Sequence, residues 1–316
     1  MKILFTGVSS FTGFWFVRAL ADAGHEVVCP LRKSSESYQG RRKERMTVLR
    51  GKCQLVNNAP FGSEPFIDLI KSARWDLLCH HGAETTNYKS ADFDAHQANL
   101  ANCLNLPSVL ASLQAAGAKA ILLTGTFFEN DEGAGNHPLR AFSPYGLSKG
   151  LTWQTFRYYC DRAEFPLGKF VVPNPFGPYE EERFTHYLMH CWSAKQKAAV
   201  KTPDYVRDNI PVDLLAFCYA RFAGRIVEER RALTRTNPSG YVESQGVFAE
   251  RVAREIRARL GWPCELALAR QEDFGEPWMR LNHEPAARLI PAWNESAAWD
   301  NYAQFYLRSL ENKSTS

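Results

Sequence analysis

The chain has 316 residues, a net charge of +4, 45% hydrophobic and 23% charged residues. That is room for a main core and a smaller lobe, with ordinary globular composition. No run of about 18 apolar residues occurs, so no membrane-spanning helix is expected, and no basic patch interleaved with aromatics suggests nucleic-acid binding.

Lys2 to Phe5 reads as a buried strand, Thr6 to Gly13 as a small-residue turn, and residues 14–23 as an apolar-periodic helix. The polar turn and Arg18 argue against a signal peptide. A strand, a glycine turn and a helix in this order present backbone amides to a dinucleotide pyrophosphate. The candidate contacts are Gly7, Ser9, Ser10, Phe11, Thr12 and Gly13. Gly7 suits the tight turn and Gly13 the close helix–strand approach. Ser10 stands where a full fingerprint has its middle glycine, with a hydroxyl to offer a phosphate.

A second strand, Glu26 to Leu31, runs into Arg32, Lys33 and Ser34. An NAD site would place an acid there for the ribose 2′-OH. Two cations and a hydroxyl favour NADP, with NAD as the alternative. Residues 33–52 read as a polar connection with a short helix. Its basic block, Arg41 to Arg45, fits a solvated face, an anionic-cofactor contact or a nucleic-acid patch. Further strands are expected at Gln54–Val56, Asp76–His81, Lys119–Thr124 and Lys169–Val172. Helices are expected at Pro65–Ser72, 94–116 and Tyr145–Ala163.

This alternation predicts a Rossmann-type, doubly wound parallel α/β sheet over residues 1–173, its functional loops converging at the strands' C-terminal edge. Prolines punctuate the chain beyond 173, with helices at 183–195, 212–223 and 246–260. Residues 174–310 are read mainly as a smaller α/β substrate lobe, some segments of which return to the first domain, and 311–316 as a flexible tail. Eight scattered cysteines with no CxxC pair read as reduced thiols and a cytoplasmic location. His80 and His81 should face opposite sides of a strand, and Asp92, Asp94 and His96 suit helix capping, so no metal site is expected.

Tyr145 and Lys149 lie four apart at a helix start and share a face. A phenol is a poor base near neutrality until a cation favours its phenolate. Thr126, just past a strand, offers a hydroxyl to a substrate oxygen, with Thr124 as the second candidate.

Together with the opening turn, these motifs resemble the extended short-chain dehydrogenase/reductases of the NAD(P)-dependent nucleotide-sugar epimerase/dehydratase type. The resemblance runs over about residues 2–215. It includes Asp76–Ala83, Asn99, Thr124-Gly125-Thr126, Tyr145–Lys149, Pro173–Pro178 and Tyr205–Asp213. It implies Tyr145 as acid/base, Lys149 as the partner that lowers its pKa and holds the cofactor ribose, and Thr126 as hydroxyl donor. It further implies that His81, Gly82, Ala83, Asn99, Thr124, Val172 and Pro173 approach the cofactor. Asn174, Arg207 and Arg280 would meet the substrate, with Arg207 suited to a diphosphate by its guanidinium fork.

Phe127-Phe128-Glu129 follows Thr126 where dehydratases of this type carry Asp-Glu, which disfavours water elimination, and the usual Val-Tyr-Gly is absent. The first expectation is therefore a nucleotide-sugar epimerase, oxidising a sugar hydroxyl transiently to a ketone and returning the hydride. The alternatives are an NADPH-dependent reductase of a nucleotide-linked keto sugar or related carbonyl and, less favoured, a non-catalytic cofactor-binding protein. A homodimer is expected through helices 94–116 and 145–163, using a second stripe that includes Ala101, Leu104, Phe156 and Tyr159.

Overall fold

Short apolar runs separated by polar, helix-forming stretches make seven strands: β1 (Lys2–Thr6), β2 (Glu26–Pro30), β3 (Gln54–Val56), β4 (Leu77–His80), β5 (Ala120–Thr126), β6 (Leu167–Val172) and β7 (Leu233–Thr236). In the computed structural model, which describes residues 1–314 and side chains to residue 309, they form one sheet in the order β7-β6-β5-β4-β1-β2-β3. Every pair is parallel. The chain reverses its direction of travel across the sheet between β1 and β4, which puts the loops after those strands at the switch point. β4 and β5 are buried along their whole length, as strands covered on both faces must be.

Six helices, α1 (Phe11–Asp22), α2 (Gly40–Val48), α3 (Glu64–Lys71), α4 (Ala95–Asn102), α5 (Leu106–Ala115) and α6 (Pro144–Arg162), lie wholly in this unit, which also takes in residues 216–229 of the helix Val212–Glu229. Strand alternation divides their packing. Leu4 joins Phe66, Val109, Leu113 and Phe156 from α3, α5 and α6 in one apolar cluster. Phe5, its neighbour, turns to the opposite face and meets Tyr219. There Phe16 of α1 stacks on Tyr219 at 4.0 Å, a contact of about 0.5–1.5 kcal/mol beyond simple burial.

Three sequence expectations change. The helix expected over 94–116 is two helices, because Asn105 takes a left-handed conformation (φ +49°) and donates its amide to the Gly62 carbonyl. Pro107 then sits in the first turn of α5, where its missing N–H costs nothing. β5 extends to include Thr126. β7 escaped the sequence reading because Leu-Thr-Arg-Thr is a polar edge strand with Leu233 exposed.

The first compact unit comprises residues 1–132, 137–172 and 216–237. The second comprises residues 133–136 and 173–215 and the chain from Pro238 onward. Its three-stranded sheet has Val206–Pro211 between Asn174–Phe176, parallel, and Tyr241–Ser244, antiparallel. Its core gathers Phe176, Trp192, Phe248, Trp299 and Tyr302. The last helix is described as far as Ser314, and the end of the expected tail, 315–316, lies outside the described residues.

All eight cysteines are unpaired thiols. No described helix is long and apolar enough to cross a membrane. Among the described residues no His, Cys, Asp and Glu group is arranged to hold a metal ion. Of the stripe expected at a dimer interface, Phe156 is fully buried in the core instead, because its turn of α6 faces the sheet; Leu104 and Tyr159 remain exposed.

Candidate active site

The turn after β1 is built by backbone proximity. Gly7 has φ +84°, and a Cβ there would lie 2.7 Å from the Gly82 nitrogen; one on Gly13 would lie 2.2 Å from the Gly7 carbonyl oxygen. Only glycine fits either place. Ser10 caps α1, its hydroxyl donating to the Gly7 carbonyl and accepting from the Gly13 amide. This differs from the free phosphate donor expected of Ser10: the hydroxyl finishes the turn in place of a glycine. The first-turn amides of Phe11 and Thr12 lie at the positive end of α1, which suits a pyrophosphate.

His81 stands behind this turn, its Nε2 at 3.1 Å from the Ser10 and Thr12 hydroxyls, its ring stacked on Phe5 and edge-to-face with Phe16. Burial, then the charge of Lys149, lowers its pKa to about 3, so it is a neutral brace. His80 points the opposite way, stacked on Phe156. Its Nε2 donates to the Asn102 carbonyl, which leaves Nδ1 to accept from the Thr6 hydroxyl at 3.0 Å. The Gly82 amide in turn donates to Thr6 Oγ1. The chain Gly82–Thr6–His80–Asn102 thus fixes the ends of β1 and β4 to α4.

Of the basic block, Arg45 is fully buried and donates to the Ser9 carbonyl at 3.1 Å. Sequence reasoning left its role open; the apolar spacing of Arg45 with Met46 and Leu49 was the available signal. Arg32 pairs with Glu84 at 2.9 Å and with the Ala83 carbonyl, while Lys33 lies over the Tyr38 ring and Ser34 caps a short 3-10 turn. Asn99 sits on α4 and accepts from the Cys103 thiol. Its neighbour Asn102 is the buried hub, holding Thr152 and the Glu84 amide.

α6 begins at Ser143-Pro144, a capping hydroxyl followed by a proline at the first helical position. Tyr145 follows, half-buried, with Tyr88 and Phe93 against its ring at 5.3 and 6.1 Å. Lys149, one turn on, is 5% exposed. Burial lowers its pKa, aided by Lys169, against the opposing pull of Glu129 and Cys103.

Thr126 ends β5 and accepts from the Phe128 amide at 3.4 Å, whereas Thr124 is buried deeper, beside the Tyr219 hydroxyl. The turn after Thr126 lies directly on α6. A Cβ on Gly146 would be 2.3 Å from the Phe128 carbonyl oxygen, and one on Gly150 would be 2.5 Å from Asn130 Oδ1. Each glycine directly follows one member of the Tyr145–Lys149 pair, and together they bring Thr126's loop against that turn. Beneath the loop, Lys169 bridges the buried carboxylates of Glu129 and Glu132. The signal for this pair was a lysine inside an otherwise buried strand, Leu-Gly-Lys-Phe-Val-Val.

Val172 closes one segment of the first unit; Pro173 opens a segment of the second. There Asn174 pairs in register with Asn209. Arg207, expected to reach a diphosphate, is 6% exposed. It donates to the Val206, Pro277 and Trp278 carbonyls and to the Glu276 carboxylate, and lies over the Tyr205 ring. Arg280 is fully buried in register with Gly135.

The model of the NAD dependent epimerase/dehydratase family matches residues 3–226. No curated protein sequence matches the chain. Among solved structures, the fold is similar to a UDP-glucose-4-epimerase from Stenotrophomonas maltophila with bound NAD and formylated UDP-arabinopyranose (17% identity, 99% of each chain, TM-score 0.76). It is also similar to a UDP-glucuronic acid 4-epimerase from Bacillus cereus in complex with UDP-glucuronic acid and NAD (16% identity, 98% of this chain and 99% of that one, TM-score 0.71). A dTDP-glucose 4,6-dehydratase from Streptomyces venezuelae with NAD bound is a third (16% identity, 98% and 97% covered, TM-score 0.72).

Proposed function

The chain belongs to the NAD dependent epimerase/dehydratase family, and from that premise we propose that it is a nucleotide-sugar epimerase. The observation that carries this reading is the buried Lys149 one turn from Tyr145, with the Thr126 loop packed on the two glycines beside them. In the reaction Tyr145 takes the proton of a sugar hydroxyl and later returns it, Lys149 stabilises the phenolate, and Thr126 holds the sugar oxygen by a hydrogen bond. A nicotinamide, when bound, supplies the acceptor and donor of hydride at the carbon bearing that oxygen.

Gly7, Ser9, Phe11, Thr12 and Gly13 would hold the cofactor's phosphates by backbone contacts, and Lys149 its ribose. Phe127 and Phe128, apolar at the two places after Thr126, supply no acid–base pair for elimination, which favours epimerase over dehydratase. The Bacillus cereus and Stenotrophomonas maltophila proteins were solved with UDP-sugars and NAD; a UDP- or related nucleotide-sugar is accordingly the substrate class proposed here. Arg207, Asn174 and Arg280 remain our proposed substrate contacts, and a homodimer our proposed assembly.

A second reading, an NADPH-dependent keto-sugar reductase, rests on Arg32, Lys33 and Ser34 at the end of β2, and NADP is the cofactor those residues favour. The Arg32–Glu84 pair is the counterweight, because a 2′-phosphate would have to displace that carboxylate. The test incubates the protein with nucleotide sugars and a trace of NAD or NADP. Epimer formation without net cofactor consumption supports the first reading; stoichiometric NADPH loss supports the second. Tyr145→Phe should lower turnover about 100-fold or more while leaving cofactor binding intact, and a loss below about threefold would remove Tyr145 from the mechanism.

A further inference from the structure

Glu129 is 1% exposed and makes two contacts that bear on the proton-transfer pair. Oε1 accepts the Thr126 amide at 2.8 Å, and Oε2 accepts the Lys169 ammonium at 2.6 Å. Its chain neighbours are the two residues seated on α6: Phe128 against Gly146 and Asn130 against Gly150. Lys169 completes the clamp from below, lying 4.5 Å over the ring of Trp153, one turn after Lys149 on the same helix. Gly125 leaves the space for this arrangement, since a Cβ there would lie 2.6 Å from Lys169 Cε and 2.8 Å from Glu129 Oε1.

The neighbouring carboxylate, Glu132, serves a different purpose. It takes Lys169 and Arg235, and its Arg235 contact faces the edge strand β7. Glu129 alone of the two hydrogen-bonds the Thr126 backbone among the contacts described.

We propose that Glu129 is a positioning residue for proton transfer: its carboxylate fixes the Thr126 amide and supplies the negative charge that holds Lys149 in its ammonium form. The proposal rests on the reading of Tyr145 and Lys149 as the proton-transfer pair. Glu129 on the loop after β5, Lys169 on β6 and Cys103 after α4 act on Lys149, while His80 and His81 at the end of β4 face it as neutral rings that its charge helps keep unprotonated. Burial and Lys169 work against the ammonium, and Glu129 is the leading influence that favours it. A buried lysine without such a partner gives up its proton easily, and a neutral amine would no longer favour the Tyr145 phenolate.

The test titrates lysine 13Cε signals by NMR in the full chain, with Lys149 assigned by its loss in Lys149→Arg. In Glu129→Gln, an isostere that still accepts from Thr126, the Lys149 midpoint should move to lower pH. Glu132→Gln removes a carboxylate from the same cluster and should leave that midpoint near wild type. Glu129→Asp keeps the charge and should restore most of the titration, which guards against a variant that merely folds poorly. In turnover, the alkaline limb of kcat should move to lower pH in Glu129→Gln while KM stays within about twofold. An unmoved Lys149 in Glu129→Gln, or equal movement in Glu129→Gln and Glu132→Gln, overturns the proposal. The NMR titration needs no substrate, so a wrong substrate class leaves its outcome unchanged and shows only in the turnover assays.

Discussion

Replacing Lys169 with Met should destabilise the first unit by about 3 kcal/mol at pH 7. Met has a similar straight stem, so little cavity is created and the lost charge dominates. Lys169 is 1% exposed and its two carboxylate partners are 1% and 3% exposed, so water cannot replace it. Breaking a buried ion pair costs about 3–5 kcal/mol, mostly through the charge left behind. The lower end applies, because Arg235 still serves Glu132 and the Thr126 amide still serves Glu129.

The deficit should depend on pH with a definite sign. Burial already raises the Glu132 pKa against the pull of Lys169. Without that cation, the Glu132 carboxyl holds its proton to still higher pH than it does in the unfolded chain. The penalty is therefore absent below the unfolded carboxylate range, about pH 4, and grows as pH rises through the folded values. Urea unfolding followed by amide hydrogen exchange in β5 and β6 reads the first unit alone. A deficit below about 1 kcal/mol at pH 7, or an equal deficit at pH 4 and pH 7, would refute the reasoning. The triple variant with Glu129→Gln and Glu132→Gln should recover most of the loss, since no buried charge then lacks its partner.

In the second unit, Glu180 accepts from Thr185, Tyr302 and Tyr306 with its pKa raised by burial to about 7. Its stabilising contribution is full below the unfolded carboxylate range and is lost as pH rises through about 7, so Glu180→Gln should flatten that slope in a thermal-melt series. Arg207→Ala should weaken UDP binding about 10–100-fold and also lower stability, because the guanidinium ties three carbonyls. Glu276→Ala should instead tighten UDP, measured by calorimetry, since a diphosphate would compete with that carboxylate for Arg207; unchanged UDP binding in both variants would remove Arg207 from the substrate site.

The alternation of strands and helices was legible because the central parallel strands are apolar runs and most crossovers periodic ones, whereas the polar edge strand β7 carried no such signal. Tyr145, Lys149 and the opening glycine turn were legible for a related reason, since their spacing is local and one turn of helix decides their geometry. Local pattern failed where a distant group decides the outcome. The break before α5 depends on Asn105 reaching Gly62, and the burial of Arg45 on the Ser9 carbonyl. Lys169 announced a partner but not which one, because Glu129 and Glu132 are about 40 positions away in sequence. Arg207 matched its motif, yet only the folded chain reveals that Glu276 already engages it.

The two histidines behind the turns after β1 and β4 carry a consequence for the molecule's response to acid. His80 and His81 stay neutral down to about pH 3, whereas the unfolded imidazoles take up protons near 6.5. Between those values the unfolded state binds more protons, so each histidine makes the first unit weaker as the solution is acidified. Glu180 and Asp208, held protonated up to about 7 and about 6, do the reverse for the second unit, which firms as pH falls from those values toward 4. The two halves of the chain thus answer mild acid in opposite senses. Calorimetry of the whole chain should record the first unit's transition moving down in temperature and the second unit's moving up as pH falls from about 6 to about 4.5.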